Sequence, residues 1–494
     1  MNGRQDELPT IFERSAPGRR AARPPRVEGP AMADLLGAEV LRSAPPALPE
    51  VSELDLVRHY TNLAHRQTSI DGNVYPLGSC TMKYNPKVHE EVAAAFEDLH
   101  PEQDPSSVQG LLELLGTLQD WLGTITGMDD VTLQPAAGAH GELTGILMIR
   151  AFHEANGEGA QRRNVIVPDA AHGTNPATAG MVGYDVVEVP TAADGEVDLA
   201  AMKAALGPDT AAVMLTNPST VGIFETRIQE IADAAHAVGA QLYYDGANLN
   251  AIVGKARPGD MGFDVVHMNL HKTLTTPHGG GGPGTGPVGV KAHLAPYLPL
   301  PRVRQEVDGT WGLEETRSTS IGRMRSYYGN VGNLVRAYAY IRSLGAEGLA
   351  NVAEMAVLNA NYLRVRMREA GFQPAFDRTC MHEFVARPPE GISTNDVAKA
   401  LLDEGMHPMT VYFPMVVKEA MMVEPTETES LQTLDAYADA LARILQRAAR
   451  DPGALAEAPT TTPVRRLDEV AAARHPVLRW SPRDEDGGAA AAAD

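Results

Sequence analysis

The apolar positions of this chain change period twice. Between residues 88 and 126 they recur every three or four positions. Val88, Val92, Phe96 and Leu99 mark one face of a helix, and Leu111, Leu114, Leu115, Leu118, Leu122 and Ile125 mark a second. From 130 to 268 they gather into short runs rich in β-branched residues: Asp130 to Gln134, Asn164 to Pro168, Asp185 to Pro190, Ala211 to Thr216, Gln241 to Asp245 and Phe263 to Met268. Helical stretches separate these runs. Near-continuous apolar strands are covered on both faces, so the alternation predicts an α/β fold with a mainly parallel sheet. Past Gly332 the helical period returns over 332 to 344 and 346 to 370. A strand is then expected near Glu383 to Ala386, a helix near Asn395 to Glu404 and a strand near Met421 to Glu424. A last helix is expected to open at Thr426, with Glu429 completing a capping box. Ser52 and Asp55 form a similar signal for a short early helix.

These elements divide the chain into an N-terminal arm and loop (1 to 85), a large α/β domain (86 to 331) and a small α+β domain (332 to 450). A C-terminal extension (451 to 494) follows, with an acidic, alanine-rich tail expected to be disordered. The stretch Tyr75 to Pro86 is built from turn residues, and an irregular loop of that length between helices is often functional.

Ligands of parallel sheets bind beyond the carboxyl ends of the strands. The residues that follow each run therefore carry the candidate chemistry. Gln134 to Glu142 ends a strand and opens a helix of small residues. Its N–H groups at Ala137, Gly138 and Ala139 suit a phosphate, and His140 suits a flat ring; a plain strand-to-helix turn fits the same residues. Asp245 ends another run. A carboxylate there can pair with a pyridinium nitrogen, and Ala247 is small enough to lie against a ring face, although turn aspartates are common. Asn269-Leu270-His271-Lys272 follows an apolar strand and precedes a glycine-rich run, Gly279 to Gly286. A lysine so placed suits a covalent bond to an aldehyde cofactor. Thr216 to Gly222, with Thr220, and His172 are further strand-end groups that fit either a ring or substrate contact or a structural turn. Together they describe a pyridoxal-phosphate site. The glycine run does not follow either nucleotide-binding glycine pattern, so a nucleotide-binding domain is disfavoured.

Composition narrows the class further. Acidic residues outnumber basic ones, 63 to 42, for a net charge of −21, which argues against nucleic acid and anionic membranes as partners. Two cysteines, Cys80 and Cys380, give neither a disulfide framework nor a metal-binding CxxC pattern, so no metal site is expected. With no apolar run long enough to span a bilayer, the cytoplasm is the expected compartment.

The residues that carry these readings also carry a family likeness. Ile11 to Ser15, Tyr75 to Pro86, Gln134 to Gly145, His172 to Ala177, Asn269 to Val290 and Glu424 to Ser430 resemble the β-type subunit (subunit 2) of the two-chain glycine dehydrogenase (decarboxylating), the P-protein of the glycine cleavage system. The likeness runs from about residue 10 to 480, ending at Pro476 to Trp480, with 481 to 494 an added tail. It implies a fold-type I pyridoxal 5'-phosphate enzyme with Lys272 as the Schiff-base lysine and His271 and His172 beside the chemistry. The cofactor would be held by Ala137, Gly138, Ala139, His140, Asp245, Ala247, Asn269 and Thr220. It also implies a companion subunit 1 in an α2β2 assembly and the lipoylated H-protein as second partner. The implied reaction decarboxylates glycine and transfers the aminomethyl group to the lipoyl disulfide, releasing CO2. His278 is near the same stretch without an assigned role, and Arg323 and Arg325 are the arginines considered for the glycine carboxylate. Other fold-type I enzymes, such as aminotransferases and desulfurases, and a non-catalytic subunit of the same fold are the rival readings.

Overall fold

A computed structural model of the chain describes residues 8 to 478, apart from positions 24, 26, 27, 45, 101, 280 to 283, 328 and 452. Four residues of the glycine run, part of the N-terminal extension, Arg479 and Trp480, and the acidic tail therefore lie outside the described residues. The chain divides into two compact units, Ile70–Ala456 and a second made of Met1–Ser69 with Glu457–Asp494.

The first unit is built on a seven-stranded sheet. Its strands are β1 (Asp130–Thr132), β2 (Asn164–Pro168), β3 (Asp185–Val189), β4 (Thr210–Thr216), β5 (Gln241–Gly246), β6 (Val265–Met268) and β7 (Val288–Val290). The order is β1-β7-β6-β5-β4-β2-β3. All neighbouring pairs from β6 through β3 are parallel, and β7 runs antiparallel to both β1 and β6. The expected strands are thus present. Val288–Val290 was not foreseen, because three residues after a glycine-rich turn carry almost no periodic signal. The interior strands have buried residues on both faces, as continuous apolar runs require. The helix Gln109–Thr126 buries Leu111, Leu114, Leu115, Leu118 and Leu122 and ends at Gly127, whose φ of 72° turns the chain into β1. A two-stranded ribbon, β8 (Arg302–Gln305) with β9 (Trp311–Glu314), packs near that helix.

Beyond it, Val331–Ala370 is two helices joined at Gly345, where φ is 63° and ψ is −172°, which matches the expected break between 344 and 346. A four-stranded antiparallel sheet follows, formed by β10 (Gln373–Pro374), β11 (Phe384–Arg387), β12 (Thr410–Val411) and β13 (Met421–Val423), in the order β10-β11-β13-β12. Helices Thr394–Asp403 and Leu431–Arg450 accompany it.

Two helix expectations are corrected. The helix Val88–Ala94 ends before Phe96, and it buries His89 and Ala93 rather than Val88 and Val92. Its length of seven residues is too short to fix a face by periodicity alone. The last helix opens at Ser430, whose hydroxyl accepts the Thr433 N–H at 3.2 Å, not at Thr426. Thr426 follows Pro425 and has a φ of 65°, so its backbone is turning there rather than entering a helix.

In the second unit, Ser52 caps helix Glu53–Ala64 by accepting the Asp55 N–H, as the capping signal requires. Leu54, Val57 and Tyr60 of that helix are exposed, as are Met32, Leu35 and Val40 in the preceding arm.

Candidate active site

The parallel strands deliver their following residues to one edge of the sheet. Helix Gly138–Ala155 begins there, and small residues let it sit close. A Cβ on Gly138 would overlap the Asn269 side chain, and one on Gly286 would overlap the Ala137 carbonyl. Gly141 lies against His267, and Gly145 against the Tyr243 ring. The N–H groups of Gly138, Ala139 and His140 belong to the first turn, which an α-helix leaves without intrahelical acceptors. The helix runs 18 residues, long enough for its positive end to hold an anion.

Asp245 is buried at the end of β5, and its carboxylate is well partnered. Oδ1 accepts the Ala247 N–H at 2.9 Å, and Oδ2 accepts from Asn175 Nδ2 at 3.0 Å. His267 Nε2 is 3.3 Å from Oδ1, while His267 Nδ1 is 2.8 Å from the Tyr243 hydroxyl. Asn269 Nδ2 is 3.0 Å from His267 Nε2, so Asn269 reaches the site through its neighbour's ring. Burial alone would raise the Asp245 pKa, but His267, the Ala247 N–H, Asn175 and Lys272 outweigh it and hold the carboxyl below its ordinary value. Asn175 Nδ2 also donates to Glu142 Oε2 at 2.9 Å. Glu142 is pushed up to about 7, first by burial and then by the Asp245 charge. Two neighbouring carboxyls are thus pushed in opposite directions, one on each side of a shared amide.

Lys272 follows β6 in the short helix Leu270–Thr273 and is half-buried. His271 beside it is lowered to about 3 by burial and by Lys272, so it is neutral, and its buried Nδ1 has no protein partner. The His271 and His278 rings meet edge to face at 5.4 Å. His172 is exposed, its Nδ1 lies 2.8 Å from the Thr174 hydroxyl, its ring packs edge-on to Phe413 at 5.8 Å, and it is close enough to Asp245 and Lys272 to feel both charges. Thr220 is buried in the turn after β4, next to Thr216 and Ser219, whose enclosed hydroxyls have no protein partner. His140 is half-buried and accepts the Ala136 N–H on Nδ1 at 3.1 Å, which fixes its ring to its own turn. Arg325 is close enough to His140 to lower its pKa, and its enclosed Nη1 has no partner. Arg323 is exposed and donates to the Ser326 carbonyl.

Residues Tyr75 to Pro86 form an irregular loop, as expected, and fasten to the four-stranded sheet and to the segments that follow β5 and β6. Gly78 N–H donates to the Met422 carbonyl at 3.2 Å, and Tyr75 stacks on His407 at 3.9 Å. Lys83 is buried and reaches Glu427 Oε1 at 2.7 Å, Asn250 Oδ1 at 2.8 Å and the Thr273 carbonyl, next to Lys272, at 2.8 Å. Burial works against its charge, but Glu427 and Tyr340 prevail and the Lys83 pKa is raised. Sequence reasoning gave this lysine no role. Lys83→Met, which strands Glu427 beside a buried apolar chain, is expected to cost about 3–5 kcal/mol of stability. Denaturant unfolding checks it, and a cost below about 1 kcal/mol would show that the pair is dispensable.

A second group was also missed. His382, Glu383 and Glu424 are fully buried at the near ends of β11 and β13. The signal for it was a polar pair, His382-Glu383, directly before an apolar strand, where a core position would be expected.

The site suits pyridoxal 5'-phosphate. Lys272 offers an amine for the aldehyde, Asp245 an ionised carboxylate for the ring nitrogen, and the Gly138 helix end a cradle for the phosphate, while unpartnered hydroxyls remain for the ring substituents. The comparisons with known proteins agree. Residues 352–457 match the family described as glycine dehydrogenase, C-terminal domain. The chain is 60% identical over 473 residues to a probable glycine dehydrogenase (decarboxylating) subunit 2 from Thermus thermophilus, covering 96% of this chain and 99% of that one. It is 54% identical over 476 residues to the protein of the same description from Fervidobacterium nodosum, covering 95% and 99%. Among solved structures, an inhibitor-bound glycine decarboxylase (P-protein) of the glycine cleavage system superposes with a TM-score of 0.71 at 23% identity, over 84% of this chain and 95% of that chain. A cysteine desulfurase from Escherichia coli gives 0.60 at 15% identity, over 78% and 98%. The likeness to these solved structures gives the chain the fold of the fold-type I enzymes, and its site suits pyridoxal phosphate. Within that class, the chain belongs to the glycine dehydrogenase (decarboxylating) subunit 2 family.

Proposed function

We propose that this chain is the cofactor-bearing subunit of a glycine decarboxylase that passes an aminomethyl group to a lipoyl disulfide. The observation that carries this reading is the convergence of Lys272, Asp245 and the Gly138 helix end at one sheet edge, in a chain 60% identical to a relative described as a probable glycine dehydrogenase (decarboxylating) subunit 2. Pyridoxal phosphate, when bound, supplies an electron sink for the bond to the departing carboxylate. Lys272 would hold the cofactor through its side-chain amine, the one group of this stretch suited to its aldehyde. Asp245, kept ionised, holds a proton on the ring nitrogen. The N–H groups of Gly138, Ala139 and His140 bind the phosphate, and Thr220 and Asn269 flank the ring. His172, which feels the charges of both Asp245 and Lys272, and His140 at the start of the Gly138 helix are the two imidazoles that would face the ring. Neutral His271 adds no positive charge beside Lys272. Arg325, with an enclosed unpartnered nitrogen, is the better of the two arginines for an anionic group.

A relative described as subunit 2 supports a companion subunit 1, and the exposed apolar residues of the arm, Met32, Leu35, Val40, Leu54 and Val57, suit burial against such a partner. We extend this to an α2β2 assembly served by a lipoylated H-protein. Both cysteines are free, and among the described residues no helix is long and apolar enough to cross a membrane, which accords with a cytoplasmic site of action. Labelled bicarbonate is expected to exchange into the carboxyl of glycine when this chain, its companion subunit and lipoylated H-protein are combined. No label in glycine under those conditions would sink the decarboxylase reading.

A further inference from the structure

One unbroken line of hydrogen bonds joins Asp245 to the surface of the site. Asn175 Nδ2 donates to Asp245 Oδ2 at 3.0 Å and to Glu142 Oε2 at 2.9 Å. Thr174 Oγ1 lies 2.8 Å from Glu142 Oε1 and 2.8 Å from His172 Nδ1. The Thr174 N–H also donates to His172 Nδ1, at 3.3 Å. Asp245, Asn175 and Glu142 are buried, whereas His172 at the far end is exposed and within reach of a ligand that enters from solvent.

Donors and acceptors along this line must match. The Asn175 amide spends one hydrogen on each carboxyl, and the Thr174 hydroxyl has a single hydrogen to give. His172 Nδ1 accepts the Thr174 N–H, so it carries no proton and the ring hydrogen is on Nε2. Nδ1 shares its lone pair with the Thr174 hydroxyl hydrogen. The Thr174 oxygen is then an acceptor toward Glu142 Oε1, and only a protonated Glu142 can donate to it. With Glu142 ionised the order reverses. The Thr174 hydroxyl turns to Glu142, Nδ1 must hold the ring proton against the Thr174 N–H, and Nε2 is left bare. The proton on Glu142 therefore decides which nitrogen of His172 bears hydrogen. Glu142 is pushed up to about 7, by burial first and then by the Asp245 charge, so both orders are reached near neutral pH. Lys272, Tyr243 and His267 are the other titratable groups that face Glu142 or His172. Burial holds Tyr243 far above its ordinary value and His267 below its own, so neither changes charge just above pH 7.

We propose, on the strength of the decarboxylase reading, that Glu142 and Thr174 are positioning residues that hold His172 as its Nε2–H tautomer, a neutral hydrogen-bond donor for the carboxylate of glycine. Thr174 occupies Nδ1, so Nε2 is the nitrogen left for a ligand. A neutral donor orients a carboxylate that must lose its charge as CO2 departs. A cation in the same place would bind the carboxylate more tightly than the departing CO2 and so hold the reaction back. The bare Nε2 of the reversed order would meet the carboxylate lone pair to lone pair. Asp245 and His172 thus share one network, with the ring-nitrogen carboxylate at its buried end and the substrate donor at its open end.

The test uses the full assembly: this chain, its companion subunit and lipoylated H-protein. It reads bicarbonate exchange into glycine at varied glycine concentration. Thr174→Val cuts the line between Glu142 and His172. It is expected to raise the KM for glycine on the order of 10-fold or more, and Thr174→Ser is expected to restore most of the loss. In wild type the KM is expected to rise above about pH 7, as Glu142 ionises and the order reverses. Glu142→Gln offers an amide N–H to Thr174 at every pH. It is expected to cost less than Thr174→Val and to remove that rise. A Thr174→Val variant within twofold of wild type, or a Glu142→Gln variant that keeps the wild-type rise, overturns the proposal while leaving the decarboxylase reading intact. A wild-type KM that does not rise above about pH 7 overturns it in the same way. If wild type itself exchanges no bicarbonate into glycine, both fall. Should Thr174→Val fail to load cofactor, seen as loss of its visible band, the Glu142→Gln profile decides.

Discussion

Lys272→Ala is expected to lower turnover on the order of 10⁴-fold or more with little change in folding stability. The lysine follows the last parallel strand of the sheet and is half-buried, whereas the segment around it is held by other groups. Leu270 and Thr273 are buried, Lys83 ties the Thr273 carbonyl, and Asn85 Nδ2 donates to the Thr275 carbonyl at 2.6 Å. Removing the side chain therefore deletes the amine without loosening its platform. Loss of the covalent attachment predicts two readouts besides activity. The visible absorption of lysine-bound cofactor disappears, and borohydride no longer fixes the cofactor to any peptide. In the unmutated chain the same trapping marks the peptide that contains Lys272. Substantial residual turnover, or trapping at Lys83 instead, would remove Lys272 from its assigned place. Lys83 makes a stringent internal comparison. It lies in the same region, but its amine is committed to Glu427, Asn250 and Thr273.

The lysine and its strand were legible in the sequence because both depend on local pattern. An apolar run of β-branched residues reads as a two-sided buried strand, and a lysine at its end before a glycine-rich turn is exposed to chemistry rather than to bulk solvent. Asp245 was legible for the same reason. Asn175, His267, Glu142 and the His382–Glu383–Glu424 group were not. Each acts through a contact between residues distant in the chain, as when Asn248 meets Glu383 across 135 positions or Thr81 meets Glu424 across 343. No period in the sequence encodes such a meeting. The misplaced start of the last helix has a different cause. Thr426 and Ser430 both precede plausible caps, and the left-handed backbone of Thr426 is set by the residues it packs among rather than by its own preference. His140 and His172 are each bonded within their own turns, His140 to the Ala136 N–H and His172 to Thr174, so local pattern placed both rings without choosing between them.

Asp245→Asn is expected to lower glycine turnover on the order of 10²–10³-fold, with cofactor loading weakened rather than abolished. The amide preserves shape and retains an oxygen for the Ala247 N–H, but it cannot hold a positive charge on the ring nitrogen. The surrounding groups make the charge matter. Asn175 and the Ala247 N–H donate to the carboxylate, and His267, backed by Tyr243, adds to its preference for ionisation. All of this is arranged for an anion, so an amide NH2 at Oδ2 would face the Asn175 donor and lose that bond. A second consequence separates charge from shape. The Asp245 charge is one of the two causes that raise Glu142, so removing it lowers the pKa of Glu142 from about 7 toward the ordinary carboxylate range. Glu142 then ionises at a lower pH and leaves a partial substitute anion on the far side of Asn175. Residual turnover of Asp245→Asn should therefore rise with pH below neutrality. In Asp245→Asn/Glu142→Gln that rise should be absent and the loss larger. The measurement is the pH dependence of bicarbonate exchange in both variants within the assembled enzyme. A double variant no slower than the single one, with the same pH dependence, would mean that Glu142 plays no part in setting the charge behind the ring and that Asp245 acts alone.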